Sequence, residues 1–391
     1  MRGTGPLGTV HGSEATMTRF NFGGGCPDPG TLPAAALAAA AGRVLPRIAT
    51  ALATYPEAQG WKPLREVAAA RFQRREGVGL DPDSVCLANG SQQPITLFCH
   101  ALLGPDRPVI VEEFTYPGAL RAMRHVGAPI VGIPTDREGL RPDVLGETLA
   151  RLAAAGTPPG FIYATPTYQN PTGVTMSVAR RQEVLALARR YGVPIVDDNC
   201  YGDLDFDGPP PPTIKALAAT GDAGASEVVL FESFSKIVGP GIRLGYFACS
   251  RETMTRVLAH KIDGGTSVLA AAVMAEYLQE HLADHVATIT RVVREKRDAL
   301  LAALERHLGG ICSWTRPAGG YFIWIRVPDT CDTARLEELA TAAGIVYGPG
   351  QAFHHAGERV PYFRLSFGFP TLEEIETGIT TMARCVREAM G

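Results

Sequence analysis

Between about Pro63 and Phe231 the chain alternates two patterns. In one, apolar residues recur every three or four positions; in the other, short runs are apolar throughout. Leu64, Val67, Ala68 and Phe72 give one helical face over Leu64–Arg75. Val85–Ala88 is a short apolar run ahead of the turn Asn89-Gly90, and Ile95–Leu103 again predicts a helix. Val109–Glu112, Ile130–Ile133, Phe161–Ala164, Pro194–Asp198 and Val228–Phe231 are further runs of the same kind. Strands that are apolar at successive positions are buried on both faces, so the pattern predicts an α/β fold with a mostly parallel sheet between helices. Asn170, Asp198 and the stretch Ser233–Lys236 each stand just past a predicted strand, at the edge where open α/β sheets take ligands.

After about Thr266 the pattern changes. Ala270–Leu308 predicts one long helix with Arg291, Arg294, Glu295 and Arg297 on its polar side. Gly320–Ile325 and Tyr362–Phe367 predict strands, with a helix at Thr333–Ala343 between them and another at the C-terminus, which together suggest a smaller α+β domain. The expected division is an N-terminal segment 1–50 packing with the small domain, a large domain 51–270 and the small domain 271–391. Gly23-Gly24-Gly25-Cys26-Pro27-Asp28-Pro29 predicts an irregular loop where backbone packs closely, and Pro209–Pro212 a rigid surface loop in a polyproline II conformation.

Composition narrows the function classes. The 391 residues are 46% hydrophobic and 20% charged, as in a soluble chain with a sizeable core. A net charge of -3 gives no electrostatic case for nucleic acid or an anionic membrane. Cys26, Cys86, Cys99, Cys200, Cys249, Cys312, Cys331 and Cys385 show no CxxC spacing and no zinc-type cluster, so no metal is expected and a reducing, cytoplasmic compartment is. The N-terminus lacks a secretory h-region, and the greasiest stretch, Ala34–Ala41, falls short of the about 20 residues that span a bilayer. Five lysines, Lys62, Lys215, Lys236, Lys261 and Lys296, stand against 32 arginines, which leaves few candidates for a catalytic amine.

The densest chemistry lies in Glu232–Tyr246. Lys236 follows an apolar run, is flanked by Ser233 and Ser235, and precedes Arg243 by seven residues. That arrangement suits an aldehyde-phosphate cofactor: the amine forms a Schiff base while the hydroxyls and guanidinium hold the phosphate. Gly239, Gly241 and Gly245 let the backbone turn tightly beside it. Ser91 and Gln92 open a helical segment, where backbone N–H groups favour an anion.

These motifs, in this order, resemble the fold-type I pyridoxal-phosphate enzymes of aminotransferase class I/II. More narrowly they resemble the aminoadipate/kynurenine aminotransferases, which share their fold with the effector domain of MocR-type regulators. The resemblance runs from about Phe22 to the C-terminus. It rests on Ser233–Tyr246, on Tyr168–Gly173 (YQNPTG), on Asp197–Tyr201 (DDNCY), on Gly90–Gln93 (GSQQ) and on Phe363–Phe367 (FRLSF). It implies a mostly parallel seven-stranded sheet and pyridoxal 5'-phosphate on Lys236. Asp198 would then face the pyridine nitrogen and keep it protonated, while Asn170 and Tyr201 hydrogen-bond the ring oxygen. Ser91, Gln92, Ser233, Ser235 and Arg243 would form the phosphate cup. Tyr116 would stack on the ring, and Tyr55 would reach the phosphate of a partner subunit, which implies a homodimer. Arg364 would grip the substrate α-carboxylate as a planar fork, with Asn170 and Gly25 (or Gly24) beside it.

Asn199-Cys200 departs from the family pattern while keeping the Asp198-to-Tyr201 spacing; Cys200 reads as an inert packed thiol. His354-His355 reads as part of a loop over the site's mouth rather than a metal pair, since adjacent side chains point apart. The leading expectation is transfer of an amino acid's α-amino group to a 2-oxo acid such as 2-oxoglutarate. The alternative is another outcome on the same cofactor: elimination, cyclisation, oxidation or carbon–carbon bond formation. A regulator's effector domain is a third reading. It would need a basic helix-turn-helix ahead of Phe22, where 21 mostly small or polar residues stand.

Overall fold

The computed structural model describes residues 19–220 and 226–391. Its central sheet has seven strands: β1 (Val85–Ala88), β2 (Val109–Glu112), β3 (Ile130–Ile133), β4 (Ile162–Ala164), β5 (Ile195–Asp198), β6 (Val228–Ser233) and β7 (Gly245–Ala248). They lie in the order β1-β7-β6-β5-β4-β2-β3. All are parallel except β7, which runs antiparallel to both its neighbours, with Gly245 opposite Ser233 on β6 and Ala88 on β1. β7 was not foreseen as a strand. Its glycine and its position inside the Lys236 segment mask a run of only four residues.

The apolar runs are strands because both faces are covered. Val109, Val111, Phe161, Val196 and Phe231 pack towards α3 (Gln92–Leu102), α4 (Pro117–His125) and α8 (Arg251–Leu258). Ile110, Ile162, Ile195 and Val228 point the other way, onto α5 (Pro142–Ala154), α6 (Val178–Tyr191) and α7 (Ile214–Thr220). A third cluster joins Leu87, Leu230 and Tyr246 to Phe72 of α2 (Lys62–Glu76) and Met274 of α9 (Val268–Leu308).

The C-terminal part carries a four-stranded antiparallel sheet in the order β8 (Ser313–Trp314), β9 (Phe322–Arg326), β11 (Tyr362–Ser366), β10 (Gly348–Pro349). It packs with α10 (Thr333–Ala342) and α11 (Leu372–Ala389), and the two-residue strand Phe20–Asn21 pairs in parallel with Ile345–Val346. The expected boundary at 270/271 falls inside α9, a continuous helix of 41 residues capped by Ser267. Arg297 is not on its polar side. It is buried, donating to Asp207 at 2.7 Å and to the Pro317 carbonyl at 2.8 Å.

The apolar stretch near the N-terminus is longer than Ala34–Ala41. It forms α1 (Ala34–Leu52), a 19-residue helix of mean hydropathy 1.3, which by length and composition could cross a membrane. Ala40, Val44 and Ile48 are instead buried, Val44 and Ile48 against Val268 and Ala272 of α9, while Arg43 pairs with Glu276 at 2.7 Å and Glu280 at 3.0 Å. Pro209–Pro212 is irregular, and the carbonyls of Pro211 and Pro212 accept from the buried Arg181.

Candidate active site

The parallel strands bring their carboxyl ends to one edge, and the reversed β7 starts there, so residues far apart in sequence converge. β5 ends at Asp198 and runs on to Cys200 and Tyr201; β6 leads to Ser235 and Lys236; Arg243 lies just before β7. Tyr116 immediately precedes α4, Ser91 precedes α3, and Asn170 lies in the loop after β4. Lys236, Asp198, Tyr201, Asn170, Ser91, Tyr116, Gly24, Gly25 and Arg364 share one cavity of about 260 Å³ with Cys26, Tyr163, Thr165, Cys200 and Phe322.

Lys236 is the lysine of that wall. Its Nζ donates to the Gly25 carbonyl at 2.7 Å and lies 5.7 Å from the centre of the Tyr201 ring. Burial pushes its ammonium below the usual lysine range. Its backbone is braced, the Lys236 carbonyl accepting from Tyr321 Oη at 2.7 Å, while His285 Nε2 of α9 lies 2.6 Å from the Ile237 carbonyl. The remaining lysines are placed elsewhere: Lys215 on the Val228 carbonyl, Lys261 on Asp263, Lys296 on Asp28, and Lys62 exposed at the start of α2.

Asp198 is buried at the cavity floor, and burial pushes its carboxyl above the usual range. Donors counter this. Oδ1 accepts from the Cys200 N–H at 3.3 Å, and Oδ2 accepts from Tyr163 Oη at 2.5 Å. Tyr163 was not singled out from the sequence, because one hydroxyl within Phe161-Ile162-Tyr163-Ala164 reads as another apolar position. Cys200 lies on the cavity wall with its thiol pushed well above the usual range by burial, consistent with a packed, unreactive group. Asn199 is turned to the other side, donating to Glu232 Oε1 at 2.8 Å.

Arg364 comes from the central strand β11. Nη1 donates to Asn170 Oδ1 at 2.7 Å, Nη2 donates to the Gly23 carbonyl, and the buried Nε has no partner. Its guanidinium lies 4.2 Å from the centre of the Phe322 ring and 4.7 Å from that of Phe353. Among the described residues no carboxylate pairs with it, and burial pushes it down to about 10. A buried cation flanked by two ring faces, with a donor to spare, is arranged to receive an anion. Asn170 is fixed from behind: Gln169 accepts from Thr172 at 2.8 Å and 2.7 Å and donates to Glu112 at 3.1 Å, whose carboxyl burial pushes up to about 8.

Of the expected phosphate cup, Ser91 lines the cavity at the start of α3. Gln92, Ser233, Ser235 and Arg243 do not line it. Gln92 Nε2 donates to the Gly118 carbonyl at 3.1 Å, Ser233 Oγ accepts from the Ser235 N–H at 3.1 Å, and Arg243 Nη2 donates to the Asn89 carbonyl at 2.7 Å. Tyr55 is not brought to the cavity of its own chain; it is 91% exposed. Neither His354 nor His355 lines the cavity. His354 is buried against Phe114, the 355 N–H donates to the Glu113 carbonyl, and no metal-binding cluster occurs among the described residues.

The donor set fits pyridoxal phosphate: a buried amine on one wall, a buried carboxylate at the floor, a helix start with a serine at one corner, and an unpartnered guanidinium nitrogen opposite. The chain matches the family of aminotransferases of class I and II over residues 19–381. It is 33% identical over 378 residues to an aromatic-amino-acid aminotransferase of Thermococcus litoralis, covering 96% of this chain and 89% of that protein. Its structure superposes on the multiple substrate aminotransferase of Thermococcus profundus with a TM-score of 0.89 at 33% identity, covering 97% of this chain and 93% of the other. On the alpha-aminoadipate aminotransferase of Thermus thermophilus, solved with N-(5'-phosphopyridoxyl)-L-leucine, the TM-score is 0.88 at 29% identity, covering 97% and 96%. The family typically uses pyridoxal phosphate. With the fold, the site and the sequence in agreement, the chain belongs to the class I and II aminotransferases, close to the aminoadipate, kynurenine and multiple-substrate branch.

Proposed function

We propose that this protein is a pyridoxal-phosphate-dependent aminotransferase that moves the α-amino group of an amino acid to a 2-oxo acid, with 2-oxoglutarate a candidate acceptor. The observation that carries the reading is the convergence of Lys236, Asp198 and Arg364 on one cavity. Bound there, pyridoxal phosphate supplies an electron sink for the pair released when the substrate's Cα–H bond breaks. Lys236 Nζ would carry the group and, freed from it, would be the base within reach of the substrate's Cα proton. Asp198, held by Tyr163 and Cys200, would face the ring nitrogen and favour its protonated form. Asn170 and Tyr201 would hydrogen-bond the ring oxygen, Tyr116 would cover the ring face, and Ser91, Gln92, Ser233, Ser235 and Arg243 would hold the phosphate. Arg364 holds the α-carboxylate and so aims the Cα–H bond at Lys236.

Nothing at the departure Asn199-Cys200 favours a different outcome: Asn199 is spent on Glu232 and Cys200 braces Asp198. The deciding experiment gives purified protein a panel of amino acids without an acceptor. Conversion of the bound cofactor's absorbance to the amine form, with one equivalent of 2-oxo acid, supports transamination. Ammonia release instead would overturn it in favour of elimination. Borohydride reduction and peptide mapping should place the label on Lys236 and on no other lysine. A homodimer is part of the proposal. Tyr55, Leu45 and Leu52 are exposed near the surface of α1, and Ile262 is 94% exposed. We also infer a cytoplasmic location, in keeping with eight free cysteines; recovery of the protein in the membrane or secreted fraction would refute it.

A further inference from the structure

Arg364 is held between two pieces of chain. One is its own strand β11, which ends at Ser366 and continues through Phe367 to Gly368. The other is the irregular strap Gly23–Asp28, whose Gly23 carbonyl accepts from Arg364 and whose Gly25 carbonyl accepts from Lys236. Upstream, backbone bonds fix the strap: the Phe22 N–H donates to Val346 at 2.8 Å, and the Ser366 N–H donates to Phe22 at 2.8 Å. Downstream, side chains fix it. Asp28 Oδ1 accepts from the Gly30 N–H at 2.6 Å, and Oδ2 lies 2.5 Å from Lys296 Nζ.

Lys296 makes a second bond, donating to the Gly368 carbonyl at 3.0 Å. One ammonium on α9, only 4% exposed, thus joins the strap to the end of the Arg364 strand. The two pieces touch closely there. A Cβ at Gly368 would lie 2.3 Å from the Cys26 carbonyl oxygen, and one at Gly25 would lie 2.5 Å from the Phe322 ring. A compact ammonium with rotatable donors suits a gap that a planar guanidinium would force apart, which accounts for lysine here in an arginine-rich chain.

We propose that Lys296 is a positioning residue for the substrate carboxylate: by clasping Asp28 and Gly368 it keeps the Gly23 carbonyl on Arg364 and so sets the direction of the guanidinium. The proposal rests on the reading that Arg364 receives the α-carboxylate. The test uses the cofactor-loaded enzyme with L-alanine, and with benzylamine as an amine that lacks a carboxylate. Lys296→Met and the milder Asp28→Asn should each raise the apparent Kd for alanine by about tenfold, a misplacement effect. Benzylamine binding and cofactor affinity should stay unchanged, and the double variant should be no worse than either single one. Hydrogen exchange in the peptide 22–31 should quicken in both. Arg364→Lys serves as the control and should weaken alanine binding alone. Unchanged alanine binding in a folded Asp28→Asn enzyme, or an equal loss for alanine and benzylamine, overturns the proposal and leaves a purely structural ion pair. Equal alanine binding by wild type and Arg364→Lys would remove the reading of Arg364 and the clasp with it.

Discussion

Tyr163 shows how much a single hydroxyl can contribute at the cavity floor. It donates to a carboxylate that burial is pushing towards its neutral form. Hydrogen bonds to charged groups contribute about 1.5–3 kcal/mol, so Tyr163→Phe should lower kcat by roughly ten- to a hundredfold. The sign of the pH effect follows. Losing a donor that favours the carboxylate raises the pKa of Asp198, so the acid limb of the kcat profile should move to higher pH, with cofactor still bound. An unmoved profile would mean that the Cys200 N–H alone holds Asp198. Lys236, which the structure places on the cavity wall, was legible in the sequence because Ser235, Arg243 and the glycines around it pack distinctive chemistry into one short segment. Tyr163 and Phe322 were not, since an aromatic residue in an apolar strand or loop has no local mark that says it faces a cavity. Arg297 was misjudged for the converse reason: a charged residue on a long helix reads as solvated unless its distant partner, Asp207, is known.

At the scale of elements, the strands were readable because burial on both faces leaves an uninterrupted apolar run. The order in which they pair was not, and β7 escaped because a short reversed strand inside a glycine-rich motif has no such signature. Elements also fix the site by leaving no room. Gly118, in the first turn of α4, is the clearest case. A Cβ there would lie 2.3 Å from Gln92 Oε1 and 2.5 Å from the Tyr116 ring, so α3, α4 and the ring that faces the cavity meet at one glycine. Gly118→Ala should cost about 1–3 kcal/mol by overpacking, and the strain should fall on the two side chains. The expected readout is weaker cofactor binding in a protein whose far-ultraviolet circular dichroism is unchanged. Native cofactor affinity would show that the α3–α4 contact has slack to absorb a methyl group.

The whole molecule carries apolar surface that its own core does not use. If the exposed face around Tyr55 belongs to a second copy, then dilution below the dimer's dissociation constant should release cofactor and activity together. A monomer that sediments alone and remains fully active would refute this. The two sheets present a different question, which α9 answers. One continuous core cluster contains Leu230 and Tyr246 of the large sheet, Ile323 and Leu365 of the small one, and Met274, Leu300 and Leu304 of α9. At 1.5 Å per residue the helix is about 60 Å long, and it packs against α1, α2 and α11 in turn. Neither half can release this helix without opening its own interior. Heat should therefore melt both in a single cooperative transition, with calorimetric and van't Hoff enthalpies equal for each folded unit, rather than one half after the other. Two resolved transitions would mean that α9 frays in its middle. A spine shared in this way makes thermal stability a property of the entire chain, so damage at the small sheet is felt at the far end of the large one.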